Sequence, residues 1–193
     1  MENYNIDKLF PVFIYRKENV LDKEELESLA NTCLDLKNTV PQGGNNWKSK
    51  VYNTQDTLDL RDHKAFDKIV RIVTNSVQEF AKLHGSGYEY QCTGSWFNIY
   101  NKHNYQEYHT HNQDIFSAIV YIKTPQGSGA TIFKAPYDQR QVKNIYQTTE
   151  LNNTEVGYYP NEGGLLIFRS YVPHMVEQSQ SDSERISLAF NFN

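Results

Sequence analysis

The sequence predicts a mainly β fold, a β-sandwich or jelly roll with helices packed outside it. Three observations predict this. Two amphipathic helical stretches come early in the chain. After Gly87 seven or eight short runs of aromatic and β-branched residues alternate with turns. The last of these runs alternates with period two. With 193 residues, no internal repeat and no flexible linker, the chain reads as a single domain. Residues 1–86 form an N-terminal strand with helical support, and residues 87–193 a jelly-roll core.

The elements follow in order. Residues 9–15 (LFPVFIY) read as a strand with Pro11 near its start or at an edge. Asp22 opens a helix, with Glu25 three residues on as a capping box requires. Leu26, Leu29, Ala30, Cys33 and Leu36 keep a helical period, which accounts for Cys33 as a core residue. Residues 39–61, with Pro41, Gly43 and Gly44, are loop-like. Trp47 within them is a satellite core residue or a pocket wall. A second helix spans about Asp62 to His84, with Phe66, Ile69, Val73, Val77 and Phe80 on its stripe, and Gly85 ends it. His63 and His84 thereby have helix-end explanations. The strand runs are 90–100, 107–111, 116–122, 130–133, 163–168, 175–177 and 185–192. The connection 135–162 is long and tyrosine-rich, which suggests a lid.

Composition narrows the function. The net charge of -4 and scattered Lys and Arg leave no footprint for nucleic acid. No window approaches the ~18 apolar residues of a membrane span, and the polar, acidic start (MENYNIDKLF) does not read as a signal peptide. Cys33 and Cys92 are far apart and lack metal spacing, which points to a reducing, cytoplasmic setting.

Residues two apart on a strand share a face. His109 and His111 would therefore project together, and a third imidazole, His174, comes from a distant strand. Three such groups can occupy one face of a metal and leave the opposite corners open. Imidazole suits Fe, Zn, Cu and Ni alike, and the usual non-haem iron set is two His and one carboxylate. His111 stands where the carboxylate is expected. Asp114 is the alternative, at an odd offset from both histidines, so period two favours His111. The plainer reading leaves His109 and His111 on a solvated strand. His103, in the polar loop 101–105, reads as exposed or at a pocket rim.

Ten residues separate His174 from Arg185, and Ser187 follows. In residues 185–192, Ile186, Leu188, Phe190 and Phe192 share one face, and Arg185, Ser187, Ala189 and Asn191 the other. The plain reading is apolar in, polar out. The functional reading puts the polar face around a polar ligand. There Arg185 makes a two-pronged pair with a carboxylate and Ser187 adds a donor. A metal site beside a carboxylate clamp suggests an iron enzyme with an organic acid as co-substrate.

These motifs, together with Trp96-Phe97-Asn98-Ile99-Tyr100, Tyr121 in the run 116–122, the run 129–133, the run 163–168 and Pro173-His174, resemble the 2-oxoglutarate- and Fe(II)-dependent oxygenases, in particular the prolyl-4-hydroxylase-like branch. The likeness covers about Trp96 to the end of the chain. The opening Leu9-Phe10-Pro11-Val12 is similar to a bacterial and phage group of oxygenases that carries His-x-His. The resemblance implies a double-stranded β-helix, the cupin-like jelly roll. It implies Fe(II) bound by His109, His174 and the residue at His111, and 2-oxoglutarate chelating that metal with its distal carboxylate at Arg185. Ser187 would lie nearby, with Tyr121 and Tyr100 as pocket tyrosines.

It further implies that O2 is consumed, succinate and CO2 are released, and a substrate is hydroxylated. Trp96, Asn98, Tyr137 and Arg140 are expected at the substrate or in the lid. The substrate is expected to be a small molecule or a peptide, with no nucleic acid and no membrane involved, and the N-terminal elements offer a homodimer face as readily as a buttress. Two rivals stand beside this reading. One is a cupin-like three-histidine metalloenzyme that does not use 2-oxoglutarate; the other is a non-catalytic jelly-roll binding module.

Overall fold

A computed structural model describes residues 5–44, 47–136 and 144–193. Helix α1 (Lys23–Lys37) starts where the side chains require it. The Asp22 carboxylate accepts from the Glu25 amide at 2.9 Å, and the Glu25 carboxylate accepts from the Asp22 amide at 3.0 Å. This reciprocal cap satisfies two amides that a helix start leaves without partners. Helix α2 (Asp67–Leu83) buries Ile69, Val73, Val77, Phe80 and Ala81. It begins later than the periodicity suggests. Two 3-10 turns, Leu60–Asp62 and Lys64–Phe66, precede it, and His63 between them is extended at φ -124, ψ 115. A helical ladder does not run through such a residue, and the His63 ring instead accepts from the Ala65 amide.

Among the described residues ten strands form two sheets: β1 (Ile14–Lys17), β2 (Tyr52–Asn53), β3 (Cys92–Tyr100), β4 (Gln106–His109), β5 (Phe116–Lys123), β6 (Thr131–Lys134), β7 (Glu155–Tyr158), β8 (Leu165–Arg169), β9 (His174–Val176) and β10 (Arg185–Phe192). The six-stranded sheet runs β1-β8-β5-β10-β3-β2 and the four-stranded sheet β4-β9-β6-β7. From β3 onward successive strands alternate between the sheets, except that β6 and β7 form a hairpin within the smaller one, and this winding is the double-stranded β-helix. Strand β10 lies inside the large sheet, antiparallel to both β3 and β5. Its apolar face, Ile186, Leu188, Phe190 and Phe192, joins Phe97, Val120, Ile167 and the buried stripes of both helices in one core. Its polar face looks the other way. Each aromatic or aliphatic side chain buried in this manner contributes roughly 1.5–3 kcal/mol, so the helical layer stabilises the core that β10 faces.

Three further expectations need correction. Strand β1 starts at Ile14 rather than residue 9. Leu9 and Phe10 are largely exposed, Phe10 has φ 56, and Pro11 carries no N–H for a ladder. The loop 39–61 contains the short strand β2, paired with β3. The expected lid 135–162 contains strand β7, which pairs with β6 from Thr131↔Tyr158 to Lys134↔Glu155. Its sequence, EVGY, lies mostly exposed at a sheet edge and carries no apolar pattern to announce it. Tyr137 and Arg140 fall outside the described residues. No helix among the described residues is long and apolar enough to cross a membrane.

Gly129, just before β6, has φ +75, and a Cβ there would lie 2.6 Å from the Glu177 carbonyl oxygen. Gly129→Ala is expected to lower stability by at least about 1 kcal/mol, through both the left-handed backbone and the clash. Urea unfolding checks this.

Candidate active site

Strands β4 and β9 pair with His109 opposite His174, and β9 pairs with β6 with Phe133 opposite His174. That register sets two imidazole rings 4.2 Å apart between centroids. His111 arrives differently from the period-two argument. Strand β4 ends at His109, and His111 follows in a turn where its amide donates to the Ser170 carbonyl at 3.0 Å. The turn still brings its ring to 5.2 Å from His109 and 5.3 Å from His174. One nitrogen from each of the three lies within 4.8 Å of the others. The spacing fits ligands of one ion.

Asp114, the alternative third ligand, is not part of this group. Its carboxylate accepts from the Thr93 hydroxyl at 2.6 Å and lines a neighbouring groove. His103 is exposed with φ 67.

The hydrogen bonds set which ring nitrogen is bare. His109 Nδ1 meets the Glu107 carbonyl at 2.8 Å, and His174 Nδ1 meets the Val172 carbonyl at 3.0 Å. A carbonyl only accepts, so Nδ1 carries the proton in both and Nε2 presents a lone pair. Burial pushes all three imidazoles below their ordinary range, His111 to about 4, and mutual repulsion adds to this at His111 and His174. Neutral imidazoles are the form that binds metal. Apolar rings wall the group: Trp47 lies 4.8 Å from His109, Phe168 4.7 Å from His174, and Trp96 6.0 Å from His111. Trp47 is therefore a pocket wall.

The same cavity reaches Arg185, Ser187, Tyr100 and Asn98. Arg185 is 1% exposed. Its guanidinium has weak contacts: Nη1 lies 3.5 Å from the Ser128 and Gly129 carbonyls, and Nη2 lies 3.3 Å from the Thr131 hydroxyl. Its Nε has no partner, and no carboxylate pairs with it among the described residues. The Tyr100 and Tyr121 rings flank the cation at 4.9 and 5.5 Å.

Both phenols are engaged, Tyr100 donating to Gln106 at 2.6 Å and Tyr121 to Thr131 at 2.7 Å. Burial pushes the Tyr100 phenol up to about 12, against the pull of Arg185 and a bond with Ser187. Ser187 pairs across the sheet with Asn98 on β3 and Tyr121 on β5.

Residues that sequence reading missed complete the site. Gln106, Thr131, Phe168, Asn53 and Ser117 enter from neighbouring strands and Gln55 from the turn after β2, and no local pattern marks them. Asn191 was legible as a member of the polar face of β10 but carried no role.

A family model described as "Putative 2OG-Fe(II) oxygenase" matches residues 94–191. The chain belongs to the 2-oxoglutarate- and Fe(II)-dependent oxygenases, and Fe(II) and 2-oxoglutarate are the cofactor and co-substrate of that family. The chain is similar in fold to a Pseudomonas putida prolyl-4-hydroxylase, at 17% identity over 94% of this chain and 93% of that one, with a TM-score of 0.67. It is similar to the viral collagen prolyl hydroxylase of Paramecium bursaria Chlorella virus-1 in its 2-oxoglutarate complex, at 15% identity over 93% and 94%, with a TM-score of 0.62. A third likeness is to HygX from Streptomyces hygroscopicus with nickel, 2-oxoglutarate and hygromycin B bound, at 11% identity over 94% and 83%, with a TM-score of 0.66. No curated protein matches.

A buried cation without a counter-charge destabilises the ligand-free protein. Arg185→Met is expected to raise the stability of the metal-free chain by about 1–3 kcal/mol, seen as a higher thermal midpoint. An unchanged or lower midpoint would show that the present contacts already compensate the charge.

Proposed function

We propose that this chain is a 2-oxoglutarate-dependent hydroxylase with Fe(II) held by His109, His111 and His174 and the distal carboxylate of 2-oxoglutarate held by Arg185. The observation that carries the reading is the guanidinium. It is fully buried and lacks an acidic partner among the described residues, yet it opens onto the cavity lined by the three imidazoles. A dicarboxylic keto acid supplies what both ends need. One carboxylate pairs with Arg185, and the other, with its keto oxygen, supplies negative charge at the metal. Imidazole at His111 in place of a carboxylate leaves the site one unit more positive, so an anionic co-substrate suits it well.

When bound, the metal supplies oxygen activation coupled to conversion of 2-oxoglutarate to succinate and CO2. The chain's own residues orient and shield. The Tyr100 and Tyr121 faces and the Thr131 hydroxyl hold the guanidinium plane. Trp47, Trp96 and Phe168 keep water from the imidazoles. Carbonyl bonds at Glu107 and Val172 keep two Nε2 atoms bare.

The substrate is a small molecule or a peptide on this reading. Asn53 Nδ2 and Asn98 Oδ1 are buried with no hydrogen-bond partner among the described residues, and both side chains line the cavity. They offer a donor and an acceptor to a polar group, with Trp47 and Trp96 as apolar walls. Free thiols at Cys33 and Cys92 support a cytoplasmic setting.

Anaerobic addition of 2-oxoglutarate to the iron-loaded protein is expected to produce a visible charge-transfer band. Arg185→Ala should abolish it at the same ligand concentration. No band at saturating 2-oxoglutarate would favour the three-histidine enzyme that does not use the keto acid. Replacing His109 and His174 together by Ala should remove Fe(II) binding, followed by calorimetry. Unchanged affinity would leave only the non-catalytic module.

A further inference from the structure

The three imidazoles are not held alike. His109 and His174 donate from Nδ1 to backbone carbonyls, which have no other polarity available. His111 Nδ1 instead faces the side-chain amide of Asn191 at 3.1 Å. An amide can present either its NH2 or its oxygen. With Nδ2 toward the ring, Asn191 donates to Nδ1, and the neutral imidazole carries its proton on Nε2, where it blocks a lone pair. With the amide turned over, Oδ1 accepts an Nδ1 proton and Nε2 is bare.

The neighbours accept both settings. The other end of the Asn191 amide meets the Ser117 hydroxyl at 2.9 Å, and Ser117 meets Ser170 at 2.8 Å, where either hydroxyl can donate. In one setting Ser170 donates to Ser117 and Ser117 to Asn191 Oδ1. In the other Asn191 Nδ2 donates to Ser117 and Ser117 to Ser170. Every bond in the row survives with donor and acceptor exchanged. Ser117, Ser170 and Asn191 are all buried, so an unmatched setting would cost about 1–3 kcal/mol per lost partner. A row that reverses as a unit keeps all its bonds and confines that cost to the terminal Ser170 hydroxyl.

We propose that Asn191 is the positioning residue for His111, and that the row Asn191–Ser117–Ser170 reverses its polarity when a divalent metal binds. The proposal rests on the three-histidine reading above. Metal-free protein holds His111 with its proton on Nε2. On binding, that proton leaves to solvent, one is taken up at Nδ1, and the amide turns. Asn191 thus acts for the third imidazole as the Glu107 and Val172 carbonyls act for the first two.

Two variants separate the roles. Asp at this position accepts only, so Asn191→Asp enforces a bare Nε2. Asn191→Leu fills similar space and offers no polar partner. Calorimetric titration of the full chain with Ni(II) is expected to show affinity at least about tenfold weaker for Asn191→Leu, and at or above wild type for Asn191→Asp. Histidine 15N spectra of metal-free protein are expected to show two site imidazoles protonated at Nδ1 and the third at Nε2. Asn191→Asp moves that third ring to the Nδ1 form, a change that loss of packing alone does not produce.

If Asn191→Leu does not fold, the Asn191→Asp titration and spectra decide. Equal Ni(II) affinity in wild type and Asn191→Leu, with His111→Ala strongly weakened, overturns the role of Asn191 and leaves the three-histidine reading standing. Unchanged affinity in His111→Ala overturns that reading itself. Nδ1 protonation of all three rings in metal-free wild type overturns the reversal.

Discussion

A guanidinium sealed from water, with no acid beside it among the described residues, is the constraint on which this site depends. Arg185 lies opposite Tyr100 across the β10–β3 pairing, and Ser187 lies between Asn98 and Tyr121. The register that buries Ile186, Leu188, Phe190 and Phe192 under the helices therefore also points Arg185, Ser187 and Asn191 into the cavity. Core packing and ligand recognition are two faces of one strand. Helices α1 and α2 cover the core that receives that strand's apolar face, while its ladders to β3 and β5 fix its register.

The imidazoles show the complementary constraint. Three rings at centroid spacings of 4.2–5.3 Å, mostly buried, disfavour the protonated form. Neutral lone pairs packed this closely gain nothing from one another and much from a shared cation. A cation there and a second positive charge at Arg185 together ask for a dianion between them. The family to which the chain belongs uses such a dianion, and the fold keeps the two positive ends apart while joining them through one cavity.

Much of this was legible in the residues. The Asp22–Glu25 cap is a local matter of spacing, and the alternation of β10 follows from the pleat. The identities of His109, His111, His174 and Arg185 also stood out. Strand alternation does not place His111, because β4 stops at His109 and a turn anchored on Ser170 brings the ring in. Strand β7 was not legible, since an exposed edge strand needs no apolar face and is held by its ladder to β6. Trp47 stayed ambiguous because nothing within residues 39–61 tells whether its ring meets core or cavity.

The sequence by itself determined the fold class, the two helices, the polar and apolar faces of β10 and the residue types able to bind a metal and a carboxylate, because these depend on spacing along one element. Only the tertiary structure decided that His111 rather than Asp114 joins the cluster, that Arg185 is buried with no counter-ion among the described residues, and that Asn191 backs the third imidazole. Those outcomes depend on which strands lie side by side, and a long-range pairing leaves no mark in the local spacing of either partner.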